Sequence, residues 1–114
     1  MKKTYQDYLD DMLAAIAAIE NFVDMQDQHG FVNDLKTVYA VIRAFEVLGE
    51  AAKNMPQSIR DQFPTIPWSY LIGMRNKLIH EYAGVDTQVL WETIQHDLPP
   101  LKKCLKQIPS DLSG

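Results

Sequence analysis

The sequence predicts an all-α protein, an up-and-down bundle of four to five helices that forms a single domain over residues 1–114. Apolar residues recur at spacings of three and four along most of the chain, and no segment alternates as a strand would. Prolines and glycines separate these periodic segments, where the chain must turn. A chain of 114 residues with 46% hydrophobic residues can build one core, whereas two cores would each be marginal.

The first predicted helix has the most regular pattern. Its apolar stripe extends over roughly 20 residues at spacings of four and three: Tyr5, Leu9, Met12, Ile16, Ile19 and Val23. Thr4 followed by Asp7 resembles a capping box at its start. We expect His29-Gly30 to close the helix, because glycine is the usual residue where the chain turns left-handed.

The second helix should begin near Asn33 or Asp34 and end at Pro56. A second apolar stripe predicts its buried side, namely Leu35, Val38, Ile42, Phe45 and Ala52. A short helical turn is expected within residues 57–63, which two prolines flank.

Two further helices follow. Pro67 suits the first turn of a helix over residues 68–82, which Gly84 ends. Asp86 is a good N-cap for the last helix, whose stripe comprises Leu90, Ile94, Leu98, Leu101, Leu105 and Ile108. Pro99-Pro100 falls inside that stretch, so a kink or a break is expected there.

Composition excludes several classes of protein. No run of 18 apolar residues occurs, so we expect no membrane-spanning helix, and the start of the chain lacks the apolar stretch of a signal peptide. The single cysteine, Cys104, allows no internal disulfide and is expected to be an inert, half-buried thiol. These features predict a cytoplasmic protein that needs no cofactor.

Charge is distributed unevenly along the chain. Residues 1–34 hold two lysines against seven acidic residues, whereas residues 35–82 hold six basic residues against four acidic ones. A net charge of −4 argues against coating of duplex nucleic acid, which depends on many phosphate contacts from lysine and arginine. A local anion site in the middle segment is compatible with this balance, and so are charges on solvated helix faces.

Three histidines are candidates for function. His29 and His96 lack the partner at helical spacing that a metal site on a helix requires, so both are expected on the surface. His80 belongs to the segment RNKLIHEY over residues 75–82. Asn76 and His80 are one helical turn apart in this segment and therefore share a face.

Arg75 has an unusual position, because it falls within an apolar stripe formed with Trp68, Leu71, Leu78 and Tyr82. A guanidinium there is costly unless it is paired or faces an anion or a partner subunit. One interpretation is therefore a structural pair with Glu46 or Glu50 of the second helix, beside a core histidine.

The other interpretation is catalytic, because these residue types suit RNA cleavage. Transesterification needs a base for the 2′-hydroxyl, an acid for the leaving 5′-oxygen and a cation for the charged phosphorane. Histidine can serve as base or acid near neutral pH, arginine binds phosphate oxygens, and asparagine can orient either. One histidine per chain is few for two proton transfers, so we expect a symmetric dimer that places two such histidines in one cleft.

The motif resembles that of a known family. Arg75, four intervening residues and then His80-Glu81-Tyr82 are similar to the R-x4-H-x-Y signature of the HepT-type toxins, in the HEPN superfamily of small helical ribonucleases. The similarity continues on both sides of the motif over residues 68–99. It also includes residues 43–52 of the second helix.

This resemblance implies a HEPN-like bundle that is a metal-independent endoribonuclease toxin of a type VII-like toxin–antitoxin system. Arg75 and His80 would be the catalytic pair and Asn76 would assist them, in a cleft shared by the two subunits of a homodimer. Tyr82 matches the tyrosine to which a minimal nucleotidyltransferase antitoxin transfers AMP, which would add charge and bulk beside the cleft. The implied partners are RNA, a second copy of the chain and that antitoxin, with no metal and no membrane.

Two alternatives remain open at this stage. The chain could be a non-catalytic subunit that binds a nucleotide or positions substrate for a nucleotidyltransferase, since fold does not fix function. Tyr82 could be an ordinary helix-end residue that packs on Trp68 or Trp91. We expect both tryptophans to anchor the core or a dimer interface rather than to stack on bases.

Overall fold

A computed structural model describes residues 3–110 and residue 112, except for the side chain of Tyr82. Within these residues the chain forms seven α-helices, one 3-10 turn and no strand. The elements are α1 (Tyr5–Phe22), α2 (Gln28–Val32), α3 (Leu35–Asn54), α4 (Gln57–Gln62), α5 (Trp68–Glu81), the 3-10 turn (Tyr82–Gly84), α6 (Thr87–His96) and α7 (Leu98–Lys106). The predicted all-α helical bundle is confirmed.

Helix α3 lies at the centre of the bundle. It makes its most extensive contacts with α1 and α5. The beginning of α1 lies beside the end of α3, so these two helices run antiparallel. Helix α6 contacts α2 and α7, and α7 returns to contact α1. None of the helices in the described range is both long and apolar enough to cross a membrane.

One core connects these helices, and its largest fully buried side chains include Phe31, Phe45, Met12, Ile16, Ile19, Leu48, Met55, Ile59 and Leu105. Removing a side chain of this size from water stabilises the fold by about 1.5–3 kcal/mol. Trp68 is buried, and its indole Nε1 donates a hydrogen bond to the carbonyl oxygen of Phe63 at 3.0 Å. Trp91 is half-buried, with its ring centroid 5.4 Å from that of Phe31. Both tryptophans therefore pack on the core, as expected.

Helix starts follow the capping residues in the sequence. The Asp7 carboxylate accepts a hydrogen bond from the backbone N–H of Thr4 at 2.8 Å. At the start of α3, Asp34 accepts from the backbone N–H and the hydroxyl of Thr37 at 3.2 Å and 2.7 Å, and these hydrogen bonds hold the pKa of Asp34 below its usual value. Asp86 accepts from two backbone N–H groups of α6 at 3.0 Å and 3.3 Å. These caps confirm the predicted starts of α1, α3 and α6.

The expected break near Pro99-Pro100 is also confirmed. Helix α6 ends at His96, and α7 begins at Leu98 with the two prolines in its first turn. Proline is tolerated there, because the first backbone N–H groups of a helix have no partner within the helix.

The predicted end of the first helix at His29-Gly30 is wrong. Helix α1 ends at Phe22, and the residue in the left-handed region is Met25, with φ of 68°. Gly30 instead lies inside α2, where its backbone N–H donates to the Asp27 carboxylate at 2.8 Å. The fully buried ring of Phe31 anchors this short helix in the core. The local cap at Asp27 and the burial of Phe31 thus favour a helix where His29-Gly30 predicts a stop.

The predicted burial of one residue in the α3 stripe is also wrong. Val38, Ile42, Phe45 and Ala52 are buried, but Leu35 is 62% exposed. Leu35 is the first residue of α3, and its side chain does not enter the core that the other four residues share.

The two ends of the described chain meet at one side chain. The hydroxyl of Tyr5 donates a hydrogen bond to the carbonyl oxygen of Pro109 at 2.7 Å and accepts one from the backbone N–H of Leu112 at 2.7 Å. Farther along, Lys102 of α7 pairs with Glu20 of α1 at 3.0 Å. Helix α1 is therefore joined to the last part of the chain near both of its ends.

Candidate functional site

Helix α5 carries the candidate residues of the motif. Its core side buries Trp68, Leu71 and Leu78, whereas Asn76 and His80 are exposed one turn apart on another face. Arg75 lies at the border between these faces, with 23% of its side chain exposed. The helix therefore holds a guanidinium, an amide and an imidazole near one surface of the molecule.

Arg75 begins at a close contact between α3 and α5. A Cβ at Gly49 would overlap the Cβ of Arg75 and would lie 2.7 Å from the carbonyl oxygen of Leu71. Position 49 therefore needs a residue without a side chain, and close packing fixes the start of the Arg75 side chain. No role is predicted for Gly49 from the sequence, although a glycine on the buried side of an amphipathic helix is a signal of close approach.

Gly49→Ala is expected to destabilise the fold. The added methyl group would push α3 and α5 apart, and overpacking of this kind costs about 1–3 kcal/mol, which exceeds the ~1 kcal/mol that alanine gains over glycine in a helix. Thermal unfolding followed by circular dichroism should show a Tm several degrees below that of the wild type.

Gly73→Ala is the matched control for this substitution. Gly73 is also helical, but a Cβ there would meet no other described atom within 4 Å. The Tm of Gly73→Ala should therefore stay the same or rise. A Gly49→Ala variant as stable as Gly73→Ala would contradict the close contact between the helices.

The guanidinium of Arg75 has two partners. Its Nη2 lies 2.7 Å from Oε2 of Glu50, and its Nη1 donates to Oδ1 of Asn76 at 2.8 Å. Its Nε is buried and has no hydrogen-bond partner in the described part of the chain. Of the two carboxylates predicted as pairing partners, Glu50 is the one used, whereas Glu46 pairs with Arg43 at 3.4 Å.

His80 is exposed near the end of α5. The interpretation of a core histidine beside Arg75 is therefore wrong. Residues five apart on a helix point in different directions, so a helix that places Arg75 at the edge of the core turns His80 toward solvent.

The other two histidines, His29 and His96, are exposed, as expected. Cys104 is half-buried, also as expected. Across residues 3–110 and 112, no group of three His, Cys, Asp or Glu side chains is arranged to hold a metal ion.

A cleft of about 410 Å³ opens beside Arg75, between α1, α3 and α5. Positively charged side chains (Lys3, Arg43 and Arg75) and negatively charged ones (Asp11, Glu46 and Glu50) line it, together with Tyr8 and Ile79. His80 does not belong to this lining. The fold of one chain thus brings Arg75 and Asn76 together but leaves His80 outside the cleft that Arg75 enters.

A second groove, of about 620 Å³ and mainly apolar, lies between α5 and α6. The hydroxyl of Tyr70 at its edge donates to the Asp97 carboxylate at 3.2 Å. Partial burial, followed by the negative charge of Asp97, raises the pKa of Tyr70 above its usual value. Lys77, Leu78 and Glu81 of the motif segment line this groove, but Arg75 and His80 do not.

Tyr82 begins the 3-10 turn that follows α5. Its side chain lies outside the described part of the structure. Both interpretations of Tyr82, as a site of AMP transfer and as a residue packed on Trp68 or Trp91, concern that side chain and stay predictions.

The chain is similar to known proteins over most of its length. The family model described as "Ribonuclease HepT-like" matches residues 12–108. A protein of Thermococcus cleftensis named "Probable ribonuclease HepT" is 48% identical over 102 residues, which cover 90% of this chain and 93% of that protein. A protein of Methanocaldococcus jannaschii named "Putative RNase MJ0125" is 43% identical over 111 residues, which cover 97% and 96% of the two chains. No solved structure matches the chain at a significant level.

Proposed function

The chain belongs to the HepT-like ribonuclease family, as its motif indicates, and we propose on that premise that it is an endoribonuclease that cleaves RNA without a metal ion. The proposal rests on the residues that lie near Arg75 on α5. Asn76 binds its guanidinium at 2.8 Å, on the same helix that exposes His80. These are the residue types that transesterification of a phosphodiester needs, and buried neighbours on α5 fix their helix in place.

Each of the three residues has a role in this mechanism. His80 accepts the proton of the RNA 2′-hydroxyl, whose oxygen then attacks the adjacent phosphorus. The bond from phosphorus to the 5′-oxygen breaks, and a protonated histidine gives that oxygen a proton. Arg75 balances the negative charge that builds up on the phosphorane, and Asn76 orients the guanidinium. The products are a 2′,3′-cyclic phosphate and a 5′-hydroxyl.

A homodimer completes the site in this proposal. One chain supplies one histidine from α5, whereas the reaction uses both a base and an acid. In addition, His80 lies outside the cleft that holds Arg75 of its own chain, and the neighbouring Ile79 is 40% exposed. Two copies that pair symmetrically through the surface around Ile79 and His80 would bring both histidines to a shared cleft. Such an interface uses the same patch on each subunit.

Cleavage of RNA by the purified chain should persist in EDTA and leave 2′,3′-cyclic phosphate ends. Gel electrophoresis and mass spectrometry of the fragments measure both. A DNA oligonucleotide of the same sequence is the control and should stay intact, because it lacks the 2′-hydroxyl. Light scattering should give about twice the chain mass of 13.1 kDa. Activity that is lost in EDTA and restored by a divalent ion would contradict this mechanism, and an active monomer would contradict the shared cleft.

We further propose that this protein is the toxin of a type VII-like toxin–antitoxin system. A minimal nucleotidyltransferase would be the antitoxin, and it would neutralise the toxin by transferring AMP to Tyr82. The tyrosine hydroxyl attacks the α-phosphate of ATP, a phosphodiester forms and pyrophosphate leaves. The position of Tyr82 supports this, since its backbone directly follows the helix that carries Arg75 and His80. An AMP group there adds negative charge and bulk near the cleft.

A second candidate is a non-catalytic subunit that binds a nucleotide or positions substrate for a nucleotidyltransferase. The observation that favours it is the pairing of Arg75 with Glu50 at 2.7 Å, with His80 outside their cleft. The EDTA experiment separates the two candidates. A pure binding subunit would bind RNA or nucleotide and cleave no RNA at any protein concentration.

A further inference from the structure

The ion pair between Glu50 and Arg75 places a negative charge in a site that is proposed to bind phosphate. Its nitrogen–oxygen distance of 2.7 Å is the shortest of the ion pairs in the described residues. Glu50 is 48% exposed and Arg75 23% exposed, and a pair so accessible to water adds little to folding stability. Its main consequence must therefore lie in the orientation and the charge of the guanidinium.

We propose that Glu50 is a positioning residue for Arg75 and that its negative charge also weakens RNA binding. The proposal rests on the ribonuclease function proposed above. It assigns a role to a residue outside the R-x4-H-x-Y motif, on α3 rather than α5.

The guanidinium is held from two sides. Glu50 binds Nη2 and Asn76 binds Nη1, while Nε is buried against the protein. Each terminal nitrogen of an arginine carries two N–H groups, and the hydrogen bond to Asn76 uses one of those on Nη1, so N–H groups on both nitrogens remain for a ligand. An arginine can bind two oxygens of one phosphate through such groups. The edge of Arg75 that would bind RNA is thus oriented before the substrate arrives.

The same carboxylate opposes the substrate electrostatically. A negative charge that contacts the guanidinium offsets part of the attraction between Arg75 and a phosphate, and it repels the phosphate directly. Glu50 thus has two opposite effects on the reaction. It favours the catalytic step through orientation and disfavours binding through charge.

Two substitutions of Glu50 separate these effects. Glu50→Ala removes both the anchor and the charge, and it should lower kcat for RNA cleavage about 10-fold through loss of orientation. Glu50→Gln keeps a side chain of the same length with an oxygen beside Nη2 but removes the charge. It should keep kcat near the wild-type value and lower KM about fivefold. This gain should shrink at high salt, because salt screens the charge of Glu50.

Glu46→Gln is the matched control. Glu46 lies one turn earlier on α3 and lines the same cleft, but it pairs with Arg43 rather than Arg75. Its substitution should leave kcat unchanged and alter KM much less than Glu50→Gln does. A kcat of Glu50→Gln as low as that of Glu50→Ala, or equal changes at positions 46 and 50, would overturn the proposal.

A binding measurement separates failure of this inference from failure of the proposed function. The probe is a fluorescent RNA with 2′-O-methyl groups throughout, which lacks the nucleophile of the proposed reaction and so can be bound but not cleaved. Glu50→Gln should bind it more tightly than the wild type does, even if neither protein cleaves RNA. Equal affinities of the two proteins would overturn the role of the Glu50 charge, whereas tighter binding without any cleavage would count against the ribonuclease alone.

Discussion

His80→Ala and Arg75→Ala are each expected to abolish RNA cleavage while the protein stays folded. Loss of a general base or acid removes about 10²–10⁴-fold in rate, and loss of the arginine removes the cation that balances the phosphorane. His80 is exposed, so its removal leaves no cavity. Glu50 is already 48% exposed to water in the wild type, so removal of Arg75 leaves no unpaired charge buried. Cleavage rates and Tm values measure the two effects separately.

Two matched variants sharpen this test. His96→Ala removes another exposed histidine, on α6, and should keep full activity. Arg75→Lys keeps the positive charge but loses the planar fork, so it should remain far below the wild type. A large drop in the Tm of Arg75→Ala would favour the purely structural pair with Glu50 instead. Full activity of His80→Ala would exclude its role as base or acid.

Tyr82→Phe is expected to remain toxic and to escape neutralisation by the antitoxin. Phenylalanine lacks the hydroxyl that AMP transfer requires, and the proposed cleavage chemistry does not use that hydroxyl. Co-expression with the nucleotidyltransferase should therefore rescue growth of cells that make the wild type, but not of cells that make the variant. Toxicity is then lost only when position 82 can carry the AMP group.

Mass spectrometry shows where the AMP group is attached. After incubation with the nucleotidyltransferase, ATP and Mg²⁺, the peptide that contains Tyr82 should gain one AMP. Tyr70→Phe is the control, because Tyr70 is a 48% exposed tyrosine on α5, the helix that Tyr82 follows, and its loss should leave the modification intact. Unmodified Tyr82 alongside full neutralisation would mean that the antitoxin works by binding alone.

The helix starts could be predicted because a cap is a local structure. Asp34 and Asp86 each accept hydrogen bonds from backbone groups within three residues, so the sequence around them contains all that is needed. The end of α1 at Phe22 and the start of a new helix at Gln28 could not be predicted in this way. Phe31 enters the core and holds α2 in place, and no spacing within residues 23–32 encodes that contact.

In the site, too, features within one helix could be predicted from the sequence, whereas a contact between helices could not. Helical spacing predicts correctly that Asn76 and His80 share a face of α5, since both belong to one helix. The choice between Glu46 and Glu50 as the partner of Arg75 could not be made from the sequence, because the two carboxylates lie one turn apart on α3. The register of α3 against α5 makes that choice, and it depends on the contact at Gly49.

The hydrogen bonds of Tyr5 affect how the molecule opens locally. The first and last residues of most domains fray, so their amide protons exchange with solvent at little cost in free energy. Here one phenol bonds both Pro109 and Leu112, so the beginning of α1 cannot loosen without releasing the segment after α7. Because α1 also packs along α3, slow hydrogen exchange should extend from the residues around Tyr5 to the helix that carries Glu50. The cleft is thereby supported by a cooperative unit rather than by a fraying edge.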